Sequence, residues 1–367
     1  MRYYIIAGEA SGDLHGSNLM KEITKLDPGA GFRCWGGDLM KSAGGELVKH
    51  YRDLAFMGFI EVVRNLRTIF RNLAFCKEDI LQYKPDAIIL VDYPGFNLRI
   101  AEWAKANGFR VIYYISPQVW AWKESRVKKI KKCVDQMLVI LPFEKEFYRK
   151  WNFDVEYVGH PLADVIENYK QHGHTNPLSD KPVIALLPGS RKQEILVKLP
   201  VMLKLSHVFP EYQFIVAQAP GQEDAFYTDI MKGYKNVSGI SNQTYRLLSQ
   251  SKAALVTSGT ATLETALFGV PEVVCYKGSN ISYQIAKRLI KIKFISLVNL
   301  IMDKEVVKEL IQDEMNEKNL ERELKLLLND PIKKKQLQED YTVLKELLSK
   351  GGNASLNAAK LIVGAMR

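Results

Sequence analysis

Short apolar runs alternate along the first half of the chain with longer segments in which apolar residues recur at helical spacing. The apolar runs predict β-strands at residues 3–7, 87–92, 111–115 and 136–141. The segments between them predict helices, for example at residues 18–26 and 97–107. This alternation is typical of a parallel sheet with helices on both faces.

The alternation stops in a polar stretch with two prolines and a glycine, residues 167–182, which predicts a linker. It then resumes, with strands predicted at residues 182–187, 213–217, 253–257 and 272–276. The sequence therefore predicts two α/β domains, residues 1–165 and 166–345. Residues 303–350 are rich in charged residues and predict solvated helices. The C-terminal segment, residues 346–367, predicts a final helix that either packs back on the first domain or reaches a partner chain. Ligands of such sheets bind at the carboxyl ends of the strands.

Composition narrows the class of protein without selecting a ligand. The 367 residues are 47% hydrophobic and 25% charged, with 51 Lys and Arg against 41 Asp and Glu. A formal net charge of +10 favours anionic partners such as phosphates, nucleic acid or an acidic membrane face. The four cysteines have neither metal-ligand nor redox spacing, which fits a reducing cytosol. The chain starts directly with a strand, so we expect no signal peptide, and no apolar run reaches the roughly 18 residues of a membrane span.

The first candidate site follows the first predicted strand. The stretch AGEASGDLHG, residues 7–16, is neither a P-loop nor a dinucleotide-binding fingerprint. Its glycines would let backbone N–H groups approach a ligand, and the plainer interpretation is a turn in which Ser11 or Asp13 caps the next helix. Asp92 ends the apolar strand AIILVD, where partial burial would suit it to general-base catalysis. Its alternative role is to cap the following helix.

Two turns of the second domain are suited to binding phosphate. In LLPGSRKQE, residues 186–194, Arg191 would lie beside a helix N-terminus, where the guanidinium and the helix dipole both favour an anion. In VTSGTATLE, residues 256–264, Ser258, Gly259 and Thr260 occupy the equivalent position, and Glu264 could bind ribose hydroxyls. Two such turns in one domain predict a diphosphate, as in a nucleotide sugar.

An amphipathic segment, residues 59–73, follows the apolar run LAFMGFI and has arginines on its polar side. It predicts either a helix at an anionic membrane or acylated ligand, or an ordinary surface helix. The basic tract KESRVKKIKK, residues 123–132, follows the aromatic VWAW, which suits a membrane interface. No nucleic-acid-binding motif accompanies it, so we do not expect nucleic acid. The candidate lipid or membrane residues are Phe56, Met57, Phe59, Arg64, Arg67, Arg71, Trp120 and Trp122.

Taken together and in order, these stretches resemble the lipid-A-disaccharide synthase family over nearly the whole chain. The resemblance is carried by AGEASGD, LAFMGFIEVV, KPDAIILVDYPGFN, ISPQVWAW, LPFEKEFY, VGHPLAD, LLPGSR, SGTATLE and SLVNLI. It implies the α/β GT-B architecture, in which two Rossmann-like domains face a central cleft. It also implies an inverting hexosyltransferase of lipid A (lipopolysaccharide) biosynthesis. That enzyme would join UDP-2,3-diacylglucosamine to 2,3-diacylglucosamine 1-phosphate, giving the β-1,6-linked disaccharide 1-phosphate and UDP without a metal or other cofactor.

The resemblance also implies roles for single residues. Asp92 would deprotonate the acceptor hydroxyl, with Glu9, Ser11 and Asp13 on the acceptor side and the two acids as alternative bases. The UDP-sugar would be bound by Gly189, Ser190, Arg191, Ser258, Gly259, Thr260, Glu264 and Asn299. Two departures from the family pattern are Gly95, where many relatives have a second Asp, and Val298, where many have Pro. The first leaves Asp92 as the carboxylate of its loop, and the second weakens the assignment of Asn299.

The expected location is the cytoplasm, peripheral on the cytoplasmic face of the inner membrane, with an anionic membrane surface as partner. A homodimer is among the options for assembly. The alternative functions are another UDP-N-acetylglucosamine-using GT-B enzyme, either an epimerase or a lipid-linked glycosyltransferase, and a non-enzymatic lipid-binding protein of the same fold.

Overall fold

The computed structural model describes residues 1–54, 66–122, 124–173, 176–219, 222–278 and 293–366. The chain forms two compact units, and each is built on one parallel sheet. The first unit consists of Met1–Pro161 together with Leu348–Arg367, and the second of Leu162–Leu347.

The described part of the first unit contains a seven-stranded sheet in the order β3-β2-β1-β4-β5-β6-β7. All neighbouring strands are parallel. The strands are β1 (Arg2–Ala7), β2 (Gly31–Gly36), β3 (Glu46–His50), β4 (Ala87–Val91), β5 (Val111–Tyr114), β6 (Gln136–Val139) and β7 (Glu156–Tyr157). Because β1 and β4 are paired, with Ala7 opposite Val91, the segments that follow them leave the sheet at the same edge.

The central strands are apolar on both faces because helices cover both faces. In β1, Tyr3 and Ile5 belong to one buried cluster, whereas Tyr4 and Ile6 belong to another. Successive side chains of a strand point to opposite faces, so a strand buried on both sides has an unbroken apolar sequence. The described helices of this unit include α1 (Ala10–Leu26), α2 (Asp38–Ser42), α3 (Leu66–Tyr83), α4 (Pro94–Ala106), α5 (Val119–Trp122), α6 (Val127–Cys133) and α7 (Glu144–Arg149).

The described part of the second unit contains a six-stranded parallel sheet in the order β10-β9-β8-β11-β12-β13. The strands are β8 (Val183–Leu187), β9 (Gln213–Gln218), β10 (Val237–Ser241), β11 (Ser251–Thr257), β12 (Glu272–Tyr276) and β13 (Lys308–Ile311). The described helices, beginning at the unit boundary, are α8 (Pro161–His172), α9 (Lys192–Leu203), α10 (Leu205–Val208), α11 (Asp224–Met231), α12 (Thr244–Gln250), α13 (Thr260–Phe268), α14 (Leu297–Met302), α15 (Glu317–Asn329) and α16 (Pro331–Ser349).

The last helix, α17 (Ala354–Met366), packs against α1 within the first unit. Leu19 and Ile23 of α1 share a buried cluster with Ala358 and Ile362 of α17. Of the two placements that the sequence left open for this helix, the structure therefore has the one on the first unit.

Two stretches differ from the sequence prediction. The predicted linker at 167–182 begins inside α8, where Leu162 and Ile166 are buried one helical turn apart and the later polar residues Asn168 and Lys170 are exposed. Polarity there marks the solvent side of an amphipathic helix, so the prediction of a linker from residue 167 is wrong as far as His172. The charged region 303–350 contains β13 as well as helices.

Candidate functional site

A pocket of about 450 Å³ opens at the carboxyl ends of β8 and β11 in the second unit. The two strands are adjacent and parallel, so the turns that follow them meet at one edge of the sheet. The pocket is lined by Leu187, Gly189, Ser190, Arg191, Glu194, Ala217, Gln218, Ala219, Thr244, Thr257, Ser258, Gly259, Thr260, Ala261 and Glu264. It thus brings together every residue predicted to bind a UDP-sugar except Asn299.

The Gly-Ser-Arg turn presents its backbone and one cation to this pocket. Gly189 has φ +116°, a conformation that side-chain-bearing residues rarely adopt, and a Cβ there would lie 2.7 Å from Glu194 Oε2. Arg191 occupies the N-cap position of α9. Its guanidinium is 63% exposed and donates to Glu194 Oε1 over 3.1 Å. An exposed cation therefore lies at the positive end of a helix.

The Ser-Gly-Thr turn repeats this arrangement at the start of α13. Gly259 is the N-cap residue, with φ +145°. Ser258 Oγ donates to the carbonyl of Ile295 over 2.8 Å, which fixes the entry to the turn. Neither Arg191 nor Gly259 caps its helix with a side-chain hydrogen bond, so neither N-cap residue covers the first-turn N–H groups of its helix, of which Thr262 N donates to the Gly259 carbonyl over 3.2 Å. Such N–H groups and the helix dipoles bind anions.

Glu264 is an acidic residue of α13 that also lines the pocket. Burial raises the pKa of its carboxyl above the usual range. Tyr245 donates its hydroxyl to Glu264 Oε1 over 3.0 Å, which stabilises the carboxylate and orients it. The arrangement suits a hydrogen bond to a neutral hydroxyl rather than to a phosphate.

Asn299 has a structural role instead of a place in this pocket. It is fully buried, and its Nδ2 donates to the Val307 carbonyl and to Glu309 Oε1, each over 2.9 Å. Its Oδ1 accepts from the N–H groups of Val306 (2.8 Å) and Val307 (3.0 Å). Both ends of the amide are occupied by protein groups, and its predicted contact with the nucleotide stays a prediction. The Glu309 carboxylate also accepts from Ile295 N, and this network supports the segment that Ser258 contacts.

In the first unit, Asp92 lies directly after β4 in a strained turn. Asp92 and Tyr93 have φ +43° and +48°, a left-handed conformation that costs a non-glycine residue about 1–3 kcal/mol. Neighbouring side chains hold this turn: Asn97 Nδ2 donates to the Asp92 carbonyl over 2.8 Å, and Tyr113 Oη donates to it over 2.6 Å. The Tyr93 ring packs over Gly8, where a Cβ would lie 2.4 Å from a ring carbon.

The charge environment of Asp92 favours its protonated form. Burial, followed by repulsion from Glu9, raises the pKa of the Asp92 carboxyl to about 7. Glu9 is the N-cap residue of α1, and Ser11 is exposed in the first turn of that helix. A carboxyl group with a pKa near 7 is matched to proton transfer at neutral pH. The geometry brings Glu9 and Asp92 together at the joint edge of β1 and β4.

Asp13 is bound to backbone groups on both carboxylate oxygens. Its Oδ1 accepts from Gly37 N (2.7 Å) and Met40 N (3.0 Å), and its Oδ2 accepts from Leu39 N over 3.1 Å. It therefore caps the short helix α2, whereas the sequence suggested that it would cap its own helix. These contacts favour a positioning role over that of a base.

Several candidate lipid residues, Phe56, Met57, Phe59 and Arg64, lie outside the described residues, as do Lys123 and the side chain of Trp122. Arg67 and Arg71 are exposed on α3, where Phe70 is also 59% exposed. Trp120 is half-buried and packs edge-to-face on Phe143, with ring centroids 4.9 Å apart. A second pocket, of about 550 Å³, is lined by Glu102, Lys105, Ala106, Ser125, Lys128, Lys129, Lys132 and Cys133.

Sequence reasoning missed three contributors. Asn97, which holds the Asp92 turn, belongs to the same stretch LVDYPGFN but was not singled out. Gln218 lines the pocket from the end of β9. Lys198 lies buried behind the Gly-Ser-Arg turn. A signal for Lys198 was present, because it is the one charged residue in the otherwise apolar run ILVKLPVML.

Among the described residues, no group of three His, Cys, Asp or Glu side chains is placed to hold a metal ion.

Two parallel-sheet units, the second with a pocket at two helix N-termini, define a protein of the GT-B architecture. A UDP-GlcNAc 2-epimerase from Neisseria meningitidis, solved bound to UDP-GlcNAc, is similar in structure, with TM-score 0.68 and 14% identity over 100% of this chain and 99% of that one. The glycotransferase of kitacinnamycin gives TM-score 0.70 and 14% identity over the same shares. These likenesses concern the fold alone. The chain belongs to the lipid-A-disaccharide synthetase family, which matches residues 3–363.

Relatives in that family cover almost the full length. The lipid-A-disaccharide synthase of Syntrophus aciditrophicus is 42% identical over 95% of this chain and 94% of its own. The lipid-A-disaccharide synthase of Geobacter metallireducens is 40% identical over 96% and 94%. Within the described part of the chain, every helix is too short or too polar to cross a membrane.

Proposed function

We propose that this protein is an inverting glycosyltransferase of lipid A biosynthesis. It joins UDP-2,3-diacylglucosamine to 2,3-diacylglucosamine 1-phosphate and forms the β-1,6-linked disaccharide 1-phosphate and UDP. Family membership supports the reaction. The observation that carries the mechanism is the pocket of the second unit, where Arg191 and the N-termini of α9 and α13 converge.

In this proposal the second unit binds the UDP-sugar. The diphosphate lies against the turns at Gly189–Arg191 and Ser258–Thr260, which supply N–H donors and one guanidinium. Glu264, oriented by Tyr245, accepts from a ribose hydroxyl. When the bond between the anomeric carbon and the diphosphate oxygen breaks, its electron pair goes to UDP, and the same donors stabilise the charge that develops there.

The first unit binds the acceptor, and Asp92 is the base. The acceptor hydroxyl oxygen attacks the anomeric carbon from the face opposite UDP, through a transition state with oxocarbenium character. Its proton passes to the Asp92 carboxylate. The raised pKa of about 7 supports this role, because a weakly basic carboxylate would accept the proton poorly. Ser11 and Glu9 line the acceptor side, and Asp13 positions α2 beside them.

We also propose that the protein acts at the cytoplasmic face of the inner membrane. Exposed Arg67 and Arg71, together with the lysines of the second pocket, would contact lipid phosphates. Binding of Arg67→Ser/Arg71→Ser protein to anionic vesicles should then be weaker than wild type at low salt and equal to it at high salt. Equal binding at both salt concentrations would reject the contact. A homodimer remains an option that sedimentation would test.

The deciding experiment measures UDP release in EDTA from UDP-2,3-diacylglucosamine, with and without the acylated acceptor. Acceptor-dependent release that is lost in Asp92→Ala supports the proposed transfer and its base. Full activity in Asp92→Ala would keep the function and move the base to Glu9. Release from plain UDP-N-acetylglucosamine, without release from the acylated donor, would favour another enzyme of the same architecture.

A further inference from the structure

Lys198 places an ammonium group in the interior of the second unit. It is 2% exposed and points from α9 toward the end of β11, where its Nζ donates to Thr257 Oγ1. Glu194 Oε2, one helical turn earlier, lies 3.5 Å from the same nitrogen. Lysine is almost never fully buried unless it is paired, because removing a charge from water is costly. A charge retained at this depth calls for a reason beyond packing.

The ammonium lies directly behind the Gly-Ser-Arg turn. A Cβ built on Gly189 would be 3.5 Å from Lys198 Nζ and 2.7 Å from Glu194 Oε2. Both partners of Lys198, Glu194 and Thr257, line the pocket. Lys198 is therefore one layer behind the surface that would contact a diphosphate.

Glu194 is the unexpected residue in a site for an anion. Its carboxylate is 33% exposed and contacts Arg191 on one oxygen (3.1 Å) and Lys198 on the other (3.5 Å). With Arg191 alone, the carboxylate would cancel the one exposed cation of the turn. With Lys198 present, the three side chains together carry one net positive charge.

We propose that Lys198 is a positioning residue for a nucleoside diphosphate in this pocket. It compensates Glu194 from behind, so that the charge of Arg191 stays available to the phosphates. This inference rests on the proposed function, because it assumes that UDP occupies the pocket. Lys198 does not touch the ligand and acts through Glu194 and Arg191.

The charge state of Lys198 provides a second way to test this role. Burial lowers the pKa of its ammonium below the ordinary lysine value, while Glu194 opposes that shift. The other groups that face it are Thr257 on β11, Cys275 on β12 and Arg191 at the start of α9. Arg191 stays protonated at any pH that the protein survives. Loss of phosphate affinity at alkaline pH would therefore report on Lys198.

The test compares the affinities of UDP and uridine by calorimetry in wild type, Lys198→Met, Glu194→Gln/Lys198→Met and the control Lys204→Met, an exposed lysine six positions on. We expect Lys198→Met to weaken UDP by about tenfold or more and uridine by less than twofold. Glu194→Gln should restore UDP affinity in the Met background, because it removes the charge that Lys198 compensates. A merely structural lysine would give no such rescue.

Other outcomes overturn the inference. Equal loss for UDP and uridine, or no rescue by Glu194→Gln, assigns Lys198 to folding only. If Lys198→Met does not fold, the ratio of UDP to uridine affinity in wild type decides. If this ratio falls as the pH is raised, at a pH below the ordinary lysine pKa of 10.5, the role is supported. A ratio that stays constant rejects it. If wild type binds no UDP at all, the proposed function itself fails. If wild type binds UDP and Lys198→Met binds it equally well, only the inference about Lys198 fails.

Discussion

The two units present opposite charges at the same kind of sheet edge. In the first unit, the turns after β1 and β4 bring two carboxyl groups together, Glu9 and Asp92. In the second, the turns after β8 and β11 bring together Arg191 and the N-termini of two helices. The carboxyl edge of a parallel sheet therefore supplies a location, whereas the turn residues decide whether the location accepts a proton or binds an anion.

The backbone conformations of these turns also differ between the two units. The second unit uses glycine at positive φ, at Gly189 and Gly259, so that these two residues have no Cβ to cover the backbone of the turns. The first unit places non-glycine residues, Asp92 and Tyr93, in the left-handed region and holds them with Asn97. Glycine leaves the backbone uncovered in the second unit, whereas the left-handed turn of the first unit places the Asp92 carboxyl near Glu9.

The largest expected effect is a loss of kcat without a loss of UDP affinity, which would separate proton transfer from UDP binding. Asp92→Asn should lower kcat by about 10²- to 10⁴-fold, because the amide cannot accept the proton. UDP affinity should stay within twofold of wild type, since Asp92 belongs to the other unit. Steady-state UDP release and calorimetry measure the two quantities, with the exposed Asp154→Asn as control. A large loss of UDP affinity would contradict the division of roles.

The same variant should be more stable than wild type in alkali. The folded-state pKa of Asp92, about 7, lies above the ordinary value of 3.8, so this group favours the folded state in acid and loses that contribution as pH rises through 7. Asparagine carries no charge to desolvate. Thermal unfolding should therefore show equal Tm near pH 4 and a higher Tm for Asp92→Asn at pH 8, by about 2–4 °C for each kcal/mol. A lower Tm at pH 8 would mean that the carboxylate is stabilised by contacts.

The next effect tests the cationic edge. Arg191→Met should weaken UDP by about ten- to a hundredfold and leave uridine unchanged, because the guanidinium would contact only the phosphates. The pH dependence set by Asp92 should stay in place. Arg322→Met is the control, since Arg322 is 59% exposed, close to the 63% of Arg191, and pairs with Glu323 outside the pocket. Equal losses for UDP and uridine would place Arg191 at the base or ribose instead.

A smaller effect distinguishes backbone strain from crowding of the pocket. Gly189 and Gly233 both have positive φ, +116° and +93°, but a Cβ on Gly233 meets nothing within 4 Å. Alanine at either position should lower the free energy of unfolding by about 1 kcal/mol. Only Gly189→Ala should also weaken UDP binding, since its methyl group would displace Glu194. Unaltered UDP affinity in Gly189→Ala would show that the turn does not hold the phosphates.

The sequence predicted every interior strand of the two sheets except β2 and missed the four edge strands. β1, β4, β5 and β6, and likewise β8, β9, β11 and β12, were all recognised. The edge strands β3, β7, β10 and β13 were not, because their partly exposed positions accept polar residues and interrupt the apolar run. β2 was missed as well, since the arginine and glycines of GFRCWG break its pattern.

The candidate site follows a similar rule. Turn residues such as Gly189 and Ser258 were predicted to share a site because chain order and strand ends determine their edge. Asn299 could not be placed in this way, because the direction of its amide depends on Val307 and Glu309, whose packing no local pattern encodes. Lys198 was missed for the same reason, since its partners lie one helical turn and one strand away.

The smallest expected effect concerns the repulsion within the acidic edge. With the Asp92 pKa about 7, kcat/KM should fall about tenfold per unit on the acid side of that value, because only the carboxylate accepts a proton. Glu9→Gln removes the neighbouring negative charge, so it stabilises the Asp92 carboxylate and should move the acid limb to lower pH, by up to about one unit. The matched control is Glu22→Gln, on the same helix but about 20 Å further along it. A pH-rate profile that is unmoved in Glu9→Gln would mean that Glu9 does not influence the pKa of Asp92, and a shift to higher pH would contradict the repulsion, because it would mean that Glu9 stabilises the Asp92 carboxylate.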